Sequence, residues 1–123
     1  MSDQVHEIQG QRVLVCGSQG GPVRTDRDGS DLVQLGFDHQ AQWLAIPVER
    51  LGSDFFNLST RIAGEVIQKL VNYRFKLAVM GDVSGFVAQS SALRDFVVES
   101  NRGQHVWFVE SLATLEERLN LAP

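Results

Sequence analysis

A chain of 123 residues that is 43% hydrophobic and 21% charged has the composition of one soluble globular domain. Two domains would each be too small to bury an adequate core. The net charge of −4 and the scattered basic residues argue against a nucleic-acid-binding protein, because such proteins concentrate positive charge on one face. No apolar run can span a bilayer, and Met1–Gln4 lacks the features of a signal peptide. We therefore expect a single domain over residues 1–123, cytoplasmic and without membrane contact.

The first residues predict a β-hairpin followed by a break in the pattern. Val5–Gln9 and Arg12–Gly17 have the composition of strands, with a turn at Gly10-Gln11 between them. Cys16 follows an apolar run, where a free cysteine is typically a small core residue rather than a nucleophile. The glycine-rich segment Gly17–Gly21 fits neither the GxGxxG nor the GxxxxGK[ST] nucleotide-binding pattern, and we interpret it as a flexible turn.

Capping signals mark the first helix. Thr25 and Asp28 have the spacing of a capping box, in which the hydroxyl accepts an amide hydrogen bond and the carboxylate reaches back. Gly36 is placed to end this helix in the left-handed conformation. The residues predicted to face inward are Leu32, Val33 and Leu35.

The remaining chain alternates strands with helices. The strands are predicted at Trp43–Val48, Phe75–Gly81 and His105–Val109, and the helices from Ser53 or Ser59 to Asn72, at Ser91–Ser100 and from Ser111 onward. The long helix carries an apolar stripe at helical spacing, formed by Ile62, Ala63, Val66, Ile67, Leu70 and Val71. The order ββαβαβαβα predicts an α/β fold with one mixed, mostly parallel sheet of four or five strands, an N-terminal hairpin and about four helices.

A candidate ligand site follows from this topology. Open parallel sheets bind ligands beyond the carboxyl ends of their strands, and the sequence places Glu49, Asp82 and Ser84 there. Two interpretations remain open: the carboxylates act as a pair or hold a divalent cation, or each caps the turn after its own strand. The three histidines share no metal-ligand spacing, and no GxSxG, HExxH or CxxC motif occurs. No catalytic residue, metal or cofactor is therefore predicted.

The stretch from Asp54 to Gly103 carries a resemblance to a known family. It contains Asp54-Phe-Phe-Asn-Leu-Ser-Thr-Arg-Ile-Ala-Gly-Glu-Val-Ile-Gln-Lys69, then Asn72-Tyr-Arg, Lys76-Leu-Ala, Gly81-Asp82 and Leu93-Arg-Asp-Phe, and it ends on Glu99-Ser-Asn-Arg-Gly103. The chain resembles the bacterial domain-of-unknown-function family 4180 over most of its length, and that family brings no established activity. Its polar residues also have structural interpretations, with Asp82, Arg94 and Asp95 as an ion-pair set and Asn101 as a helix cap.

The predicted order of elements is also similar to that of STAS domains, the fold of anti-sigma-factor antagonists. In those proteins an apolar strand leads to a phosphorylatable serine at the start of the second helix. The resemblance makes Ser59 and Thr60 regulatory candidates, although Asn57-Leu-Ser-Thr60 only approximates the Asp-Ser-Ser-Gly type of motif. The alternative is that Ser59 and Thr60 simply form the N-cap of the long helix.

Three hypotheses about function follow. The first is a non-enzymatic regulatory module of STAS type that binds a protein partner through the helix after Ser59. The second is a small-molecule or metal-binding domain that uses Glu49, Asp82 and Ser84. The third is an enzyme of unrecognised type at the same edge of the sheet. We rank them in that order, and the sequence leaves the partner's identity and the oligomeric state open.

Overall fold

The computed structural model describes residues 3–18 and 22–121, which form one five-stranded sheet. The strands are β1 (Gln4–Ile8), β2 (Gln11–Val15), β3 (Trp43–Pro47), β4 (Lys76–Met80) and β5 (Val106–Val109). Their order in the sheet is their order in the chain, with β1 antiparallel to β2 and every later pair parallel. The predicted mixed, mostly parallel sheet is confirmed. Residues 19–21 of the expected glycine-rich turn lie outside the described residues.

Helices follow every strand from β2 onward. They are α1 (Asp26–Asp38), α2 (Val48–Leu51), α3 (Ser53–Phe56), α4 (Ile62–Asn72), α5 (Ser84–Gln89), α6 (Ser91–Arg102) and α7 (Leu112–Leu121), with a 3-10 turn at Leu58–Thr60. The described residues thus hold more helices than the four expected, because α2, α3 and α5 are short helices that the sequence pattern did not resolve. None of these helices is long and apolar enough to cross a membrane.

The two faces of the sheet pack into separate hydrophobic clusters. Leu44 and Ile46 point into a cluster with the buried residues of α1, α4 and α6. Trp43 and Ala45, which alternate with them along β3, point into a second cluster with α7. Sequential strand order with right-handed crossovers carries the connecting helices to one face, so the other face is left to α7. As predicted, β4 is an interior strand buried on both faces, although the middle strand is β3.

The capping box of α1 is confirmed. Thr25 Oγ1 accepts a hydrogen bond from the Asp28 N–H at 3.3 Å, and Asp28 Oδ2 accepts one from the Thr25 N–H at 3.0 Å. These bonds satisfy backbone donors that the first turn of a helix otherwise leaves without partners. The start of α1 depends only on residues that are close together in the chain, and it was predicted correctly.

The expectation that Gly36 ends α1 is wrong. The helix continues to Asp38, and the left-handed residue beyond it is Gln40, with φ of 52°. Gly36 lies instead where the ring of Phe75 packs against α1, and a Cβ at this position would stand 2.7 Å from that ring. The glycine is required for close approach between a helix and the residue preceding β4.

The expectation of one continuous helix up to Asn72 is also wrong. The 3-10 turn separates α3 from α4, and Arg61 is the N-cap of α4 with a left-handed φ of 65°. Ser59 is therefore not the N-cap of this helix. Within α4 the predicted stripe is confirmed at its centre, where Ala63, Val66 and Leu70 are buried, whereas Ile67 at its margin is only half-buried.

Two sets of polar residues in the stretch Asp54 to Gly103 have roles that differ from those expected. Among the described residues, Asp82 forms no ion pair with Arg94, and Arg94 forms none with Asp95. Asn101 does not cap α6, since its Oδ1 accepts a 2.7 Å hydrogen bond from the Phe108 N–H of the edge strand β5. The amide thus satisfies a strand donor that would otherwise lie unpaired at the edge of the sheet.

Candidate functional site

The carboxyl ends of the parallel strands meet at one edge of the sheet, as expected. Pro47 at the end of β3 pairs with Met80 at the end of β4, and Met80 pairs with Val109 at the end of β5. The loops that carry Glu49 and Asp82 therefore leave the sheet side by side. The structure thus makes the strands before Glu49 and Asp82 neighbours in the sheet.

Glu49 lies close to the start of the loop that carries Asp82. A Cβ placed on Gly81 would stand 3.6 Å from Glu49 Oε1 and 3.0 Å from Val48 Cγ2. Gly81 has a φ of 130°, a conformation that side chains disfavour, so a glycine suits both the backbone and the space at this position. The two loops are thus packed against one another at their first residues.

Asp82 bonds to the turn that leads into α5, one residue before the N-cap Val83. Its Oδ1 accepts a 2.8 Å hydrogen bond from the Ser84 N–H. Hydrogen bonds from the backbone and side chain of Ser84 hold the pKa of the Asp82 carboxyl below its ordinary value. The bond from the Ser84 N–H is the geometry of the second interpretation, in which the carboxylate caps the turn after its own strand. No group of three or more His, Cys, Asp or Glu side chains is placed to hold a metal ion within residues 3–18 and 22–121.

An open hollow of about 660 Å³ lies beside Asp82 and Ser84. Its walls come from α5, α6 and β5, and the apolar side chains among them are Val83, Val87, Val97, Phe108 and Val109. Asn101 and Glu110 add polar groups, whereas Glu49 does not line it. The three candidate ligand residues are therefore not all brought to one cavity.

The two regulatory candidates have different surroundings. Ser59 and Thr60 are both exposed. The Ser59 hydroxyl donates to Asn57 Oδ1 at 2.6 Å, and the same oxygen accepts from the Ser59 N–H at 3.2 Å. The Thr60 hydroxyl instead donates toward two backbone carbonyls, Asp54 O at 2.9 Å and Asn57 O at 2.8 Å, and it accepts from the Ile62 N–H at 3.3 Å. Thr60 thus ties α3 to α4, while within residues 3–18 and 22–121 the Ser59 hydroxyl bonds only to one exposed side chain.

A second hollow, of about 330 Å³, lies beside this turn between α3 and α5. Phe56 and Phe86 line it with their rings stacked, the centroids 4.7 Å apart. Asp54, Asn57 and Gln89 supply a polar rim. Sequence reasoning missed Asn57, which organises the turn next to this hollow. Asparagine is among the preferred capping residues, so the signal was present two positions before Ser59.

The backbone at Gly17, just after β2, is held by two charged residues that sequence reasoning also missed. Asp3 Oδ1 accepts from the Gly17 N–H at 2.8 Å, and Arg50 Nη1 lies 3.3 Å from the same oxygen. Cys16, next to them, is buried. Burial raises the pKa of its thiol to about 12, against a smaller opposing effect of Arg50. The predicted core role of Cys16 is confirmed, and its thiol carries no nucleophilic thiolate near neutral pH.

Comparison with known proteins identifies the family alone. A family model described as a domain of unknown function (DUF4180) matches residues 8–119. No curated protein matches the chain, and no solved structure does.

Proposed function

The chain belongs to the DUF4180 family, a domain of unknown function, so we propose its function from the site: a non-enzymatic regulatory module that binds a protein partner at Ser59. The observation that carries this proposal is the contrast between Ser59 and Thr60. Ser59 presents an exposed hydroxyl bound only to Asn57, at the turn that precedes the amphipathic helix α4. A hydroxyl in such a position is accessible to a modifying enzyme and to a partner.

The physics of a phosphate at this turn supports a switch at Ser59. Esterification of the Ser59 oxygen removes the proton that it donates to Asn57 Oδ1, and it places about two negative charges beside that acceptor. Ser59 lies three residues before the first residue of α4, and the N-cap Arg61 supplies no side-chain hydrogen bond to that helix. A negative charge close to the N-terminus of a helix interacts favourably with its dipole. The turn would rearrange while the core stays intact.

The same modification at Thr60 would have another result. The Thr60 hydroxyl donates toward carbonyls of Asp54 and Asn57, and a phosphate there removes that donor and breaks the link between α3 and α4. Thr60 is therefore assigned a structural role, and Ser59 is the regulatory residue of the pair. The strand order also supports a STAS-type arrangement, in which the residues after β3 lead to the switch.

The surface next to Ser59 suits a protein partner. The stacked rings of Phe56 and Phe86 form an apolar floor, and polar side chains surround it. Protein interfaces commonly combine an aromatic centre with a polar rim. A charge placed on Ser59 would change the rim and leave the floor unaltered.

We expect Ser59→Asp to stay folded and to change the amount of captured partner at least threefold. The measurement is affinity capture from the native cell with the wild type and variants, with mass spectrometry quantifying both partners and phosphorylation at Ser59. Ser91→Asp is the matched control, because Ser91 is an exposed serine in the first turn of α6 and receives the same charge at a helix start.

Ser59→Ala separates regulation from stability. It removes one exposed hydrogen bond, so the free energy of unfolding should fall by only about 0.5 kcal/mol. Equal capture by wild type, Ser59→Asp and Ser91→Asp, with no phosphate found on Ser59, would contradict the proposed switch.

The second candidate function is the binding of a small molecule or metal ion at the carboxyl edge. The hollow of about 660 Å³ beside Asp82 and Ser84 favours it, since its volume is in the range of small-molecule sites. Its open, largely apolar lining suits an organic ligand better than a cation. Glu49 lies outside this lining and would serve only a cation held between the two loops.

For magnesium, calcium or manganese we expect no change in Tm. The described residues place no third His, Cys, Asp or Glu beside Glu49 and Asp82, whereas a divalent cation such as Ca²⁺ takes six or more oxygen ligands. A metal ion at a concentration a hundred times its Kd would stabilise the fold by about 2.7 kcal/mol, and a thermal melt detects a change of that size readily. A rise in Tm in the wild type that is absent in Asp82→Asn would establish a cation site and favour this second function.

A further inference from the structure

A separate cavity of about 340 Å³ lies at the opposite, amino-terminal edge of the sheet. Trp43 and Lys76 begin their strands and are paired in the register of β3 and β4. Trp107 comes from β5 and Arg118 from α7, and all four side chains line the cavity. This edge lies far along the strands from the loops that carry Asp82 and Glu49.

The charged side chains that line this cavity are positive, whereas the whole chain has a net negative charge. The protein has 15 acidic and 11 basic residues. The lining nevertheless holds Lys76, Arg102 and Arg118 and no Asp or Glu from the described residues. Lys76 and Arg118 form no ion pair within residues 3–18 and 22–121, and Arg102 has only the exposed Glu99, at 3.7 Å. Three cations thus share one cavity without a carboxylate in it.

Two of these cations are held in place by tryptophan. The Arg118 Cζ lies 3.8 Å from the ring centroid of Trp107, and the Lys76 Nζ lies 5.7 Å from that of Trp43. The Arg118 guanidinium also donates to the backbone carbonyl of Asn101. Stacking on aromatic rings restrains cationic side chains before any ligand arrives, which lowers the entropic cost of binding.

The polar groups of the two indoles are already satisfied. Trp43 Nε1–H donates to Gln11 Oε1 and Trp107 Nε1–H to Gly103 O, each at 2.9 Å. The indole N–H groups are therefore not free to bind a ligand, whereas the cations of the lining carry further N–H donors. Partial burial also lowers the pKa of Arg118, as expected for a desolvated cation that no carboxylate neutralises.

We propose that this cavity binds a small anion carrying carboxylate or phosphate groups. Arg118 and Arg102 supply planar donor forks that match such groups, and Lys76 adds a point charge to the same lining. This site is independent of the surface at Ser59 and assigns a ligand class to a part of the molecule that the regulatory proposal does not use.

The protein contains its own reporters for this test. Its only two tryptophans both line the cavity, so intrinsic fluorescence and the indole N–H resonances report on it directly. We expect citrate or pyrophosphate, titrated at constant ionic strength, to produce a saturable change in both signals. Saturation by citrate alone assigns a carboxylate ligand, and saturation by pyrophosphate alone assigns a phosphate ligand.

Matched charge variants decide whether the binding is specific. Lys76→Gln should raise the Kd about tenfold, the usual effect of removing one charged hydrogen bond. Arg94→Gln removes the same charge from an exposed position on α6 outside the cavity and should leave the Kd unchanged. No saturable change with either anion up to ~10 mM, or equal weakening in both variants, would overturn the proposal.

Discussion

Replacing Leu70 by aspartate is expected to unfold the protein. Leu70 is only 1% exposed and lies on the inner face of α4, within the cluster that joins this helix to the sheet. The change removes a buried leucine, which costs about 2–5 kcal/mol, and adds an unpaired charge to the core. The sum is comparable to the total stability of a domain, about 5–15 kcal/mol. Circular dichroism should show loss of the cooperative thermal transition.

Two variants of the same helix provide the comparison. Gln68→Asp places the same charge on the exposed face and should keep the transition, with a loss of about 0.5 kcal/mol. Ile67→Asp should fall between the two, because Ile67 is half-buried at the margin of the stripe. A Leu70→Asp protein that melts like Gln68→Asp would mean that α4 is rotated relative to the sheet.

Replacing Gly36 by alanine should destabilise the protein by up to about 2 kcal/mol, although alanine is the better helix former. The preference for alanine inside a helix is worth about 1 kcal/mol in favour of the change. Against it, the new methyl group would stand 2.7 Å from the Phe75 ring. Phe75 is itself 4% exposed, so the ring has little room to move aside. Overpacking of this kind costs about 1–3 kcal/mol, and with the ring held in place we expect it to exceed the helix preference.

Gly64→Ala is the matched control, and we expect it to raise the free energy of unfolding rather than lower it. Gly64 lies within α4, is exposed, and a Cβ there would meet nothing within 4 Å. This variant should gain about 0.5–1 kcal/mol from helix preference alone. Urea unfolding measures both free energies. If the two variants shift in the same direction, the close packing of Phe75 against α1 is not present in solution.

Local signals account for what could be predicted. The capping box of Thr25 and Asp28 needs only residues three apart, and Ser111 starts the last helix by the same rule, with its hydroxyl accepting from the Thr114 N–H. The apolar run that becomes β4 is buried on both faces, as its composition indicates. These features depend on neighbours in the chain, so the sequence displays them directly.

The candidate site was predicted less well than the fold. The loops of Glu49 and Asp82 leave neighbouring strands, but Asp82 bonds to the turn after its own strand and Glu49 lies outside the hollow. The Ser59 position was expected at a helix start, and it lies in a 3-10 turn three residues earlier. In both cases a short-range hydrogen bond replaced the regular helical pattern that the sequence indicated. Several such bonds are compatible with the same residues, so the sequence does not show which one forms.

The sequence by itself determined the α/β class, a sheet of four or five strands with its hairpin, and the inward face of α4, because apolar periodicity and caps are properties of neighbouring residues. Only the tertiary structure decided that Gly36 makes room for Phe75 and that Asn101 serves the edge of β5. It alone brought Trp43, Lys76, Trp107 and Arg118 to one cavity. Trp43, Lys76 and Trp107 are 31 or more positions apart in the chain, and only Arg118 lies closer to one of them, Trp107. No local pattern encodes contacts over such separations. Packing of the sheet against α7 creates them.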